Sequence, residues 1–223
     1  TSIRADLAAV AILVARAIEG VETLTRELRR GRPVIAIATH SAEVVSLVKE
    51  VMETCSFGNE ATVMEERSFG SKSSRPVLLM VRDGTGADHK VERGNDTIAK
   101  ALHAGAPVVG VAPDPRRHLS RDLLRAAEYH LSLGQLDASA IVLVIEAVTG
   151  TAPMKTIDDE LVRAVDISDL ALSIRSDRHA DQCVERLQQI VSTKGEFEHS
   201  GPRLEELAGY GEAQEWGLNL VAD

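Results

Sequence analysis

Short apolar runs separated by polar, turn-forming segments set the pattern of the first two thirds of the chain. Val34–Ala38, Val77–Val81 and Val108–Ala112 are nearly continuous in apolar residues, which is typical of parallel strands buried on both faces. Ala61–Met64 and His130–Leu133 are weaker extended runs. The pattern therefore predicts five strands, of which the central ones lie inside a parallel sheet.

Helical periodicity marks parts of most segments between these strands and the part of the chain after Gly150, whereas residues 67–75 and 83–94 are predicted loops. The longest predicted helix is a single one over Ser2–Arg30, which carries a broad apolar face. The other predicted helices span residues 42–54, 96–103 with Asn95 as cap, 121–127 with Ser120 as cap, 138–148 with Asp137 as cap, 157–165, 167–174 and 180–191. Helices that alternate with strands predict right-handed crossovers in an α/β fold, followed here by a small helical segment.

This organisation divides the chain into four regions. We expect an N-terminal helix in residues 1–32, an α/β core in 33–150, a helical lid in 151–194 and a linker in 195–223.

Composition narrows the function classes. The 223 residues carry a net charge of −9 and only 3% aromatic side chains, which argues against a nucleic-acid surface, because such a surface needs a basic face and stacking platforms. Cys55 and Cys183 stand far apart and are expected to be free thiols in a reducing cytoplasm. Leu7–Ala15 is apolar but too short to span a bilayer.

The order of the elements, together with four local patterns, resembles an AAA-type ATPase module. Val108–Ala112 resembles the strand that ends at the sensor-1 position, and Leu123–Arg125 resembles the following helix, where the family places arginine fingers. Leu131–Leu133 followed by Asp137 resembles the last core strand leading into the lid. Residues 204–217 (LEELAGYGEAQEWG) resemble the linker into a second AAA module, as in FtsH-type relatives.

The resemblance implies an AAA-like core, that is, a P-loop-NTPase type of fold, in a longer bacterial protein. It implies a downstream AAA module in the same chain, assembly into a homo-oligomeric ring, usually a hexamer, and ATP and Mg²⁺ as cofactors of that parent protein. A protein substrate fits such a parent, which could be an ATP-dependent protease.

The chain departs from the family at the positions that bind the nucleotide phosphates and Mg²⁺. A P-loop needs G-x-x-x-x-G-K-[ST], because backbone N–H groups, a lysine and a hydroxyl hold the phosphates and Mg²⁺. The turn after the first strand instead carries Thr39, His40, Ser41, Glu43, Val44 and Val45. Arg82 and Asp83 stand where the acidic pair belongs, and arginine cannot ligate a metal. We therefore expect a degenerate module that neither hydrolyses ATP nor binds it tightly, with no cofactor of its own.

Two polar segments are further candidates for chemistry. Asp83, Asp88 and His89 in the loop DGTGADH are suitable metal or phosphate ligands by type, although the calcium-loop spacing is not met and a solvated loop or a ring-pore loop explains them as well. Arg116, Arg117 and His118 form a basic cluster that is interpreted as a solvated turn or a subunit-interface patch, with a phosphate site as the alternative. Arg125 is interpreted as a salt-bridge partner or an arginine finger. No catalytic or metal-ligating residue is assigned.

Three hypotheses follow. The first is a catalytically inactive N-terminal region of an AAA-family ATPase, serving assembly, substrate handling or regulation of a downstream module. The second is a self-contained, doubly wound α/β enzyme or small-molecule binder, whose ligand site lies beyond the strand ends. That site would bring together His40, Asp83, Asp88, His89, Asp114 and Arg116. The third is a receiver-like or adaptor domain used for protein contacts.

Overall fold

The computed structural model describes residues 3–39, 41–57, 61–70, 73 and 75–198. Among these residues, helices lie between successive strands except between the second and the third, and only helices follow the last strand. The strands are β1 (Val34–Ala38), β2 (Thr62–Glu65), β3 (Pro76–Val81), β4 (Val108–Ala112) and β5 (Tyr129–Ser132). The helices are α1 (Ala5–Glu19), α2 (Leu24–Arg30), α3 (Ala42–Val51), α4 (Asn95–His103), α5 (Pro115–His118), α6 (Arg121–Ala126), α7 (Ala138–Thr149), α8 (Asp159–Ala164), α9 (Ile167–Ser173) and α10 (Ala180–Glu198).

The strands form one parallel sheet in the order β2–β3–β4–β1–β5. Residues of β1 pair with β4 on one side and β5 on the other, so Ala36 lies between Gly110 and His130. The predicted α/β class with a parallel sheet between helices is confirmed.

Helices cover both faces of the sheet. One face packs against α1, α2 and α3, and the other packs against α4 and α6. Gly110 in the middle of β4 permits a close approach on the second face, because a Cβ atom there would lie 2.7 Å from methyl groups of both Leu119 and Leu123. The sheet is therefore the middle layer of a three-layer core.

A second apolar core joins the last helices to the N-terminal helix. Ala5 and Ala9 of α1 pack with residues of α7, α8, α9 and α10, whereas Val10 and Val14 of the same helix pack against the sheet side. The two faces of α1 thus contribute to two cores, and α1 joins helices α8, α9 and α10, which we call the lid, to the sheet.

The single helix predicted over Ser2–Arg30 is wrong. Helix α1 ends at Glu19, a turn with a bond from the Leu24 N–H to the Val21 carbonyl follows, and α2 begins at Leu24. Gly20 and the β-branched residues after it are weak helix formers, and the break lets Leu24 and Leu28 pack into the sheet-side core.

Helix ends show smaller differences. The predicted caps Ser120 and Asp137 are confirmed, since they accept the N–H groups of Leu123 and Ala140 at 3.2 and 2.6 Å. The prediction that Asn95 caps its own helix is wrong, because Asn95 is the first residue of α4 and Gly94 precedes it as the N-cap. The predicted helix over residues 42–54 ends as α-helix at 51 and continues as a π-helical turn over 52–56, and the last helix continues to residue 198.

Candidate functional site

Three loops that sequence reasoning singled out meet at one edge of the sheet. They follow β1, β3 and β4, which are neighbours in the sheet. The loop after β1 leads to α3 on one face, and the loops after β3 and β4 lead to helices on the other face. Such a divergence of connections is where open α/β sheets bind ligands.

Arg82, directly after β3, is a buried structural side chain. It is 1% exposed. Its Nη1 donates to the carbonyl oxygens of Lys90 (2.8 Å) and His118 (3.0 Å). Its Nη2 donates to both carboxylate oxygens of Glu66, at 3.0 and 3.1 Å, and to the carbonyl of Arg93 at 3.1 Å. The guanidinium therefore fastens the loop after β3 to the end of β2 and to α5.

The carboxylate of Asp83 accepts hydrogen bonds from its own loop. Its Oδ1 accepts the N–H and the hydroxyl of Thr85, both at 2.8 Å, and these hydrogen bonds hold the pKa of Asp83 below its ordinary value. Nδ1 of His89 lies 3.0 Å from the same oxygen and 3.1 and 3.2 Å from the backbone nitrogens of Gly84 and Gly86. The structure thus brings together Asp83 and His89, two of the three predicted ligands of this loop.

The other residues of the predicted sheet-edge site have separate partners. Asp114 caps α5 by accepting the N–H of Arg116 at 3.0 Å and lies 3.6 Å from Arg117 Nε. Asp88 pairs with Arg67 at 3.8 Å. The side chains of Arg116, Arg117 and Arg125 are exposed. His40 lies outside the described residues. In the described part of the chain, no three His, Cys, Asp or Glu side chains are grouped closely enough to hold a metal ion.

The turn after β1 is held by hydrogen bonds from Thr39. The hydroxyl of Thr39 donates to the Ser41 carbonyl at 2.7 Å and its N–H donates to Ala112. Val45 is 1% exposed and packs in the sheet-side core. Glu43 lies exposed in the first turn of α3, where its charge offsets the partial positive charge of the helix end.

A pocket of about 810 Å³ opens beside this turn, between the sheet and the lid. We call it the lid pocket. Its walls are the first half of α1, the turn after β1, the first half of α3, the loop after β5 and the region from α8 to α9. Its apolar lining consists of Leu13, Val44, Leu47, Leu133, Leu136, Val162, Val165, Ile167, Ala171 and Leu172.

Carboxylates predominate among the charged residues of the lid pocket. Of the described lining residues, Asp6, Glu43 and Asp166 are acidic and Arg163 is basic. Asp6 pairs with Arg4 at 2.7 Å. A magnesium nucleotide does not fit this arrangement, because Glu43 places a carboxylate at the helix end that phosphates would need.

Asp166 is held at the rim of the pocket by several donors. Burial acts to raise its pKa, but hydrogen bonds from Lys194 (2.6 Å), from Ser168 (2.6 Å) and from the N–H of Asp169 (3.1 Å) outweigh this effect. Together they lower the pKa of Asp166 to about 2. Asp166 and Asp169 also form a capping box at the start of α9.

Sequence reasoning located Thr39, Ser41, Glu43 and Val44 but missed the rest of the lid pocket. Most of the missed part comes from residues 133–136 and 162–172, which are mostly apolar, and the rest comes from α1 and α3. Their periodicity is the same as that of core residues, so no local signal separates pocket walls from core.

Comparison with known proteins adds little to this description. No protein-family model and no curated protein matches the chain. A solved structure with some similarity is the RuvB Holliday junction branch migration motor of Thermotoga maritima, at 13% identity and a TM-score of 0.37, covering 94% of this chain and 80% of that one. No helix among the described residues has the length and apolarity needed to cross a membrane.

Proposed function

We propose that this chain is a catalytically inactive AAA-like module of a larger AAA-family ATPase, where it serves assembly, substrate handling or regulation. The observation that carries this proposal is the buried Arg82, which stands where the resemblance puts the acidic pair and which forms five hydrogen bonds.

The arrangement of loops supports the AAA-like part of the proposal. The segments that resemble the P-loop turn, the acidic-pair position and the sensor-1 strand follow β1, β3 and β4, which are adjacent in the sheet. A helical lid follows the core and covers the pocket beside the first of these loops. This is the layout that a nucleotide site between a sheet edge and a lid requires.

The side chains support the inactive part of the proposal. Mg²⁺ is bound by carboxylates and phosphate oxygens, and a guanidinium at position 82 repels it. Val45 is buried in the core instead of presenting a hydroxyl, and Glu43 adds negative charge where phosphates would lie.

The assembly part of the proposal rests on the resemblance and on exposed cations. Arg116, Arg117 and Arg125 lie on the surface of α5 and α6 and are available to a neighbouring subunit. The proposed partners are copies of the same chain in a ring, usually a hexamer, the downstream AAA module and a protein substrate. The resemblance to a linker into that module, and with it the resemblance to FtsH-type relatives, rests on residues 204–217. These residues lie outside the described part of the chain.

Calorimetry with ATP and ADP, with and without Mg²⁺, tests the proposal directly. We expect no heat of binding when protein and nucleotide are both in the high micromolar range. Binding with a Kd of about 1 μM or below, which is about −8 kcal/mol, would show that the loops around Arg82 and Glu43 hold phosphates and would overturn the inactive module.

A second candidate function is small-molecule binding, and the lid pocket is the observation that favours it. The site then differs from the one expected at the sheet edge, because Asp83, Asp88, Asp114 and Arg116 do not line this pocket. The two candidates are compatible, since a module that has lost nucleotide chemistry can keep the cavity.

A further inference from the structure

We propose that the lid pocket binds an apolar organic cation, meaning a protonated amine carried on a hydrophobic body. The inference rests on the second candidate function and not on membership of an ATPase. It names a ligand class that differs in charge from a nucleotide.

The size and lining of the lid pocket suit a small organic molecule. Its volume of about 810 Å³ falls in the range of roughly 300–1,000 Å³ that is usual for ligand sites. Leu13 and Leu47 contribute one side, and Val162 and Ile167 come from the lid on the other. Contact with such walls favours a ligand with an apolar body.

The charges of the lining select a cation. Asp6, Glu43 and Asp166 line the pocket. Arg4, which pairs with Asp6, is shared with Glu50, and Lys194, which pairs with Asp166, is shared with Asp169, so each group of two carboxylates and one cation keeps one net negative charge. The pocket therefore presents more negative than positive charge to its contents, with Arg163 as the one basic residue among the described lining residues.

Glu43 is the anchor that we assign to the ammonium group. Asp6 and Asp166 already have cationic partners, but Glu43 has no ion pair with any residue in the described part of the chain. It lies in the first turn of α3, whose helix end carries roughly half a positive charge. The full negative charge of Glu43 exceeds that partial charge, so this wall attracts cations.

Three matched naphthalene ligands separate charge from shape. 1-Naphthylmethylamine is cationic at neutral pH, 1-naphthylmethanol is neutral and 1-naphthaleneacetate is anionic. In nitrogen–proton correlation spectra of the whole chain, we expect the amine to bind more tightly than the alcohol, and the acetate most weakly. Amide signals of residues 41–47 and 162–172 should shift. Equal affinities for the three ligands, or tightest binding of the acetate, would overturn the proposal.

Two pairs of variants assign the site. Glu43→Gln should weaken binding of the amine by about threefold to fivefold, as expected for a partly exposed ion pair, and should leave binding of the alcohol unchanged. Glu146→Gln, on the outer surface of α7, should alter the binding of neither ligand.

Ala171→Trp places a large side chain in the pocket from α9 and should abolish binding of both ligands. Ala147→Trp, on an exposed helix face, should not abolish it. Binding that survives Ala171→Trp would place the amine elsewhere and refute the assignment.

This outcome is independent of the nucleotide experiment. If ATP fails to bind and the amine also fails, the inactive module stands and the ligand class is wrong. If ATP binds tightly, the proposed function fails whatever the amine does.

Discussion

Arg82 and Glu66 form an ion pair in which the guanidinium Nη2 lies 3.0 Å from Oε1 and 3.1 Å from Oε2 of the carboxylate. Glu66 directly follows β2 and Arg82 directly follows β3, so the pair joins the carboxyl ends of two adjacent strands. The Arg82 side chain is 1% exposed, compared with 30% for Glu66. Solvent therefore reaches this ion pair mainly on the Glu66 side.

Removal of this guanidinium should be strongly destabilising. Arg82→Met leaves Glu66 without its cation and three carbonyl groups without their donor, and breaking a buried pair in this way costs about 3–5 kcal/mol. Urea unfolding should show this loss in the free energy of unfolding. Arg116→Met, which removes an exposed guanidinium, should change it by no more than about 0.5 kcal/mol. Equal midpoints for Arg82→Met and the parent would mean that the network contributes nothing.

Gly94 is tied to the same ion pair. It has a φ of +79°, and a Cβ atom there would lie 2.2 Å from Glu66 Oε1 and 2.7 Å from Arg82 Nη2. Gly94→Ala combines left-handed backbone strain with a steric clash, so we expect a loss of about 2–5 kcal/mol in the free energy of unfolding.

Gly150 supplies the matched control for this change. Its φ is +82°, but a Cβ atom there would meet nothing within 4 Å. Gly150→Ala should therefore cost only the backbone strain, about 1–2 kcal/mol. Thermal or urea unfolding of both variants separates the two effects. A loss at Gly94 no larger than that at Gly150 would argue against close packing of Glu66 and Arg82 around position 94.

Much of the fold could be predicted from local signals. The β-branched runs at Val34–Ala38 and Val108–Ala112 are buried on both faces, which requires continuous apolarity and makes these strands conspicuous. Ser120 and Asp137 are recognisable as caps, because a short polar side chain before an apolar helix satisfies its first N–H groups.

Features that depend on distant residues could not be predicted. Arg82 reads as an ordinary polar residue after a strand, and its burial follows from partners at positions 66, 90, 93 and 118. The break between α1 and α2 was missed since Ile18, Val21 and Leu24 keep a helical spacing across it. The lid pocket was missed because its walls come from segments more than 100 residues apart.

Asn95 illustrates a cap that acts between two helices. Its side-chain Oδ1 accepts the N–H of Asp122 in the first turn of α6, at 3.1 Å. Asn95→Ala leaves that N–H without its acceptor, and we expect a loss of about 1 kcal/mol in the free energy of unfolding. Ser120→Ala removes the acceptor of Leu123 in the same turn and should cost a similar amount. A stability unchanged by Asn95→Ala would show that solvent replaces the bond without cost.

The lid should respond to pH through Asp166 and Lys194, whose side chains are 2.6 Å apart. The pKa of Asp166 is lowered from 3.8 to about 2, so the folded state binds this proton less readily than the unfolded state. The stabilisation is fully present above the unfolded pKa and is lost as the pH falls through about 2. The hydrogen bond to Asp166 raises the pKa of Lys194, so its own contribution is lost only at alkaline pH.

Lys194→Met tests this link between α10 and the start of α9. Without the ammonium group, the carboxyl titration of Asp166 in carbon-detected NMR spectra should move upward toward its ordinary value, and unfolding should depend less on pH between 4 and 2. Lys155→Met removes another cation that pairs with α10, through Glu185, and should leave the Asp166 titration where it is. A pKa near 3.8 for Asp166 in the parent protein would contradict the prediction, because the hydrogen bonds, including the one from Lys194, would then only balance the effect of burial.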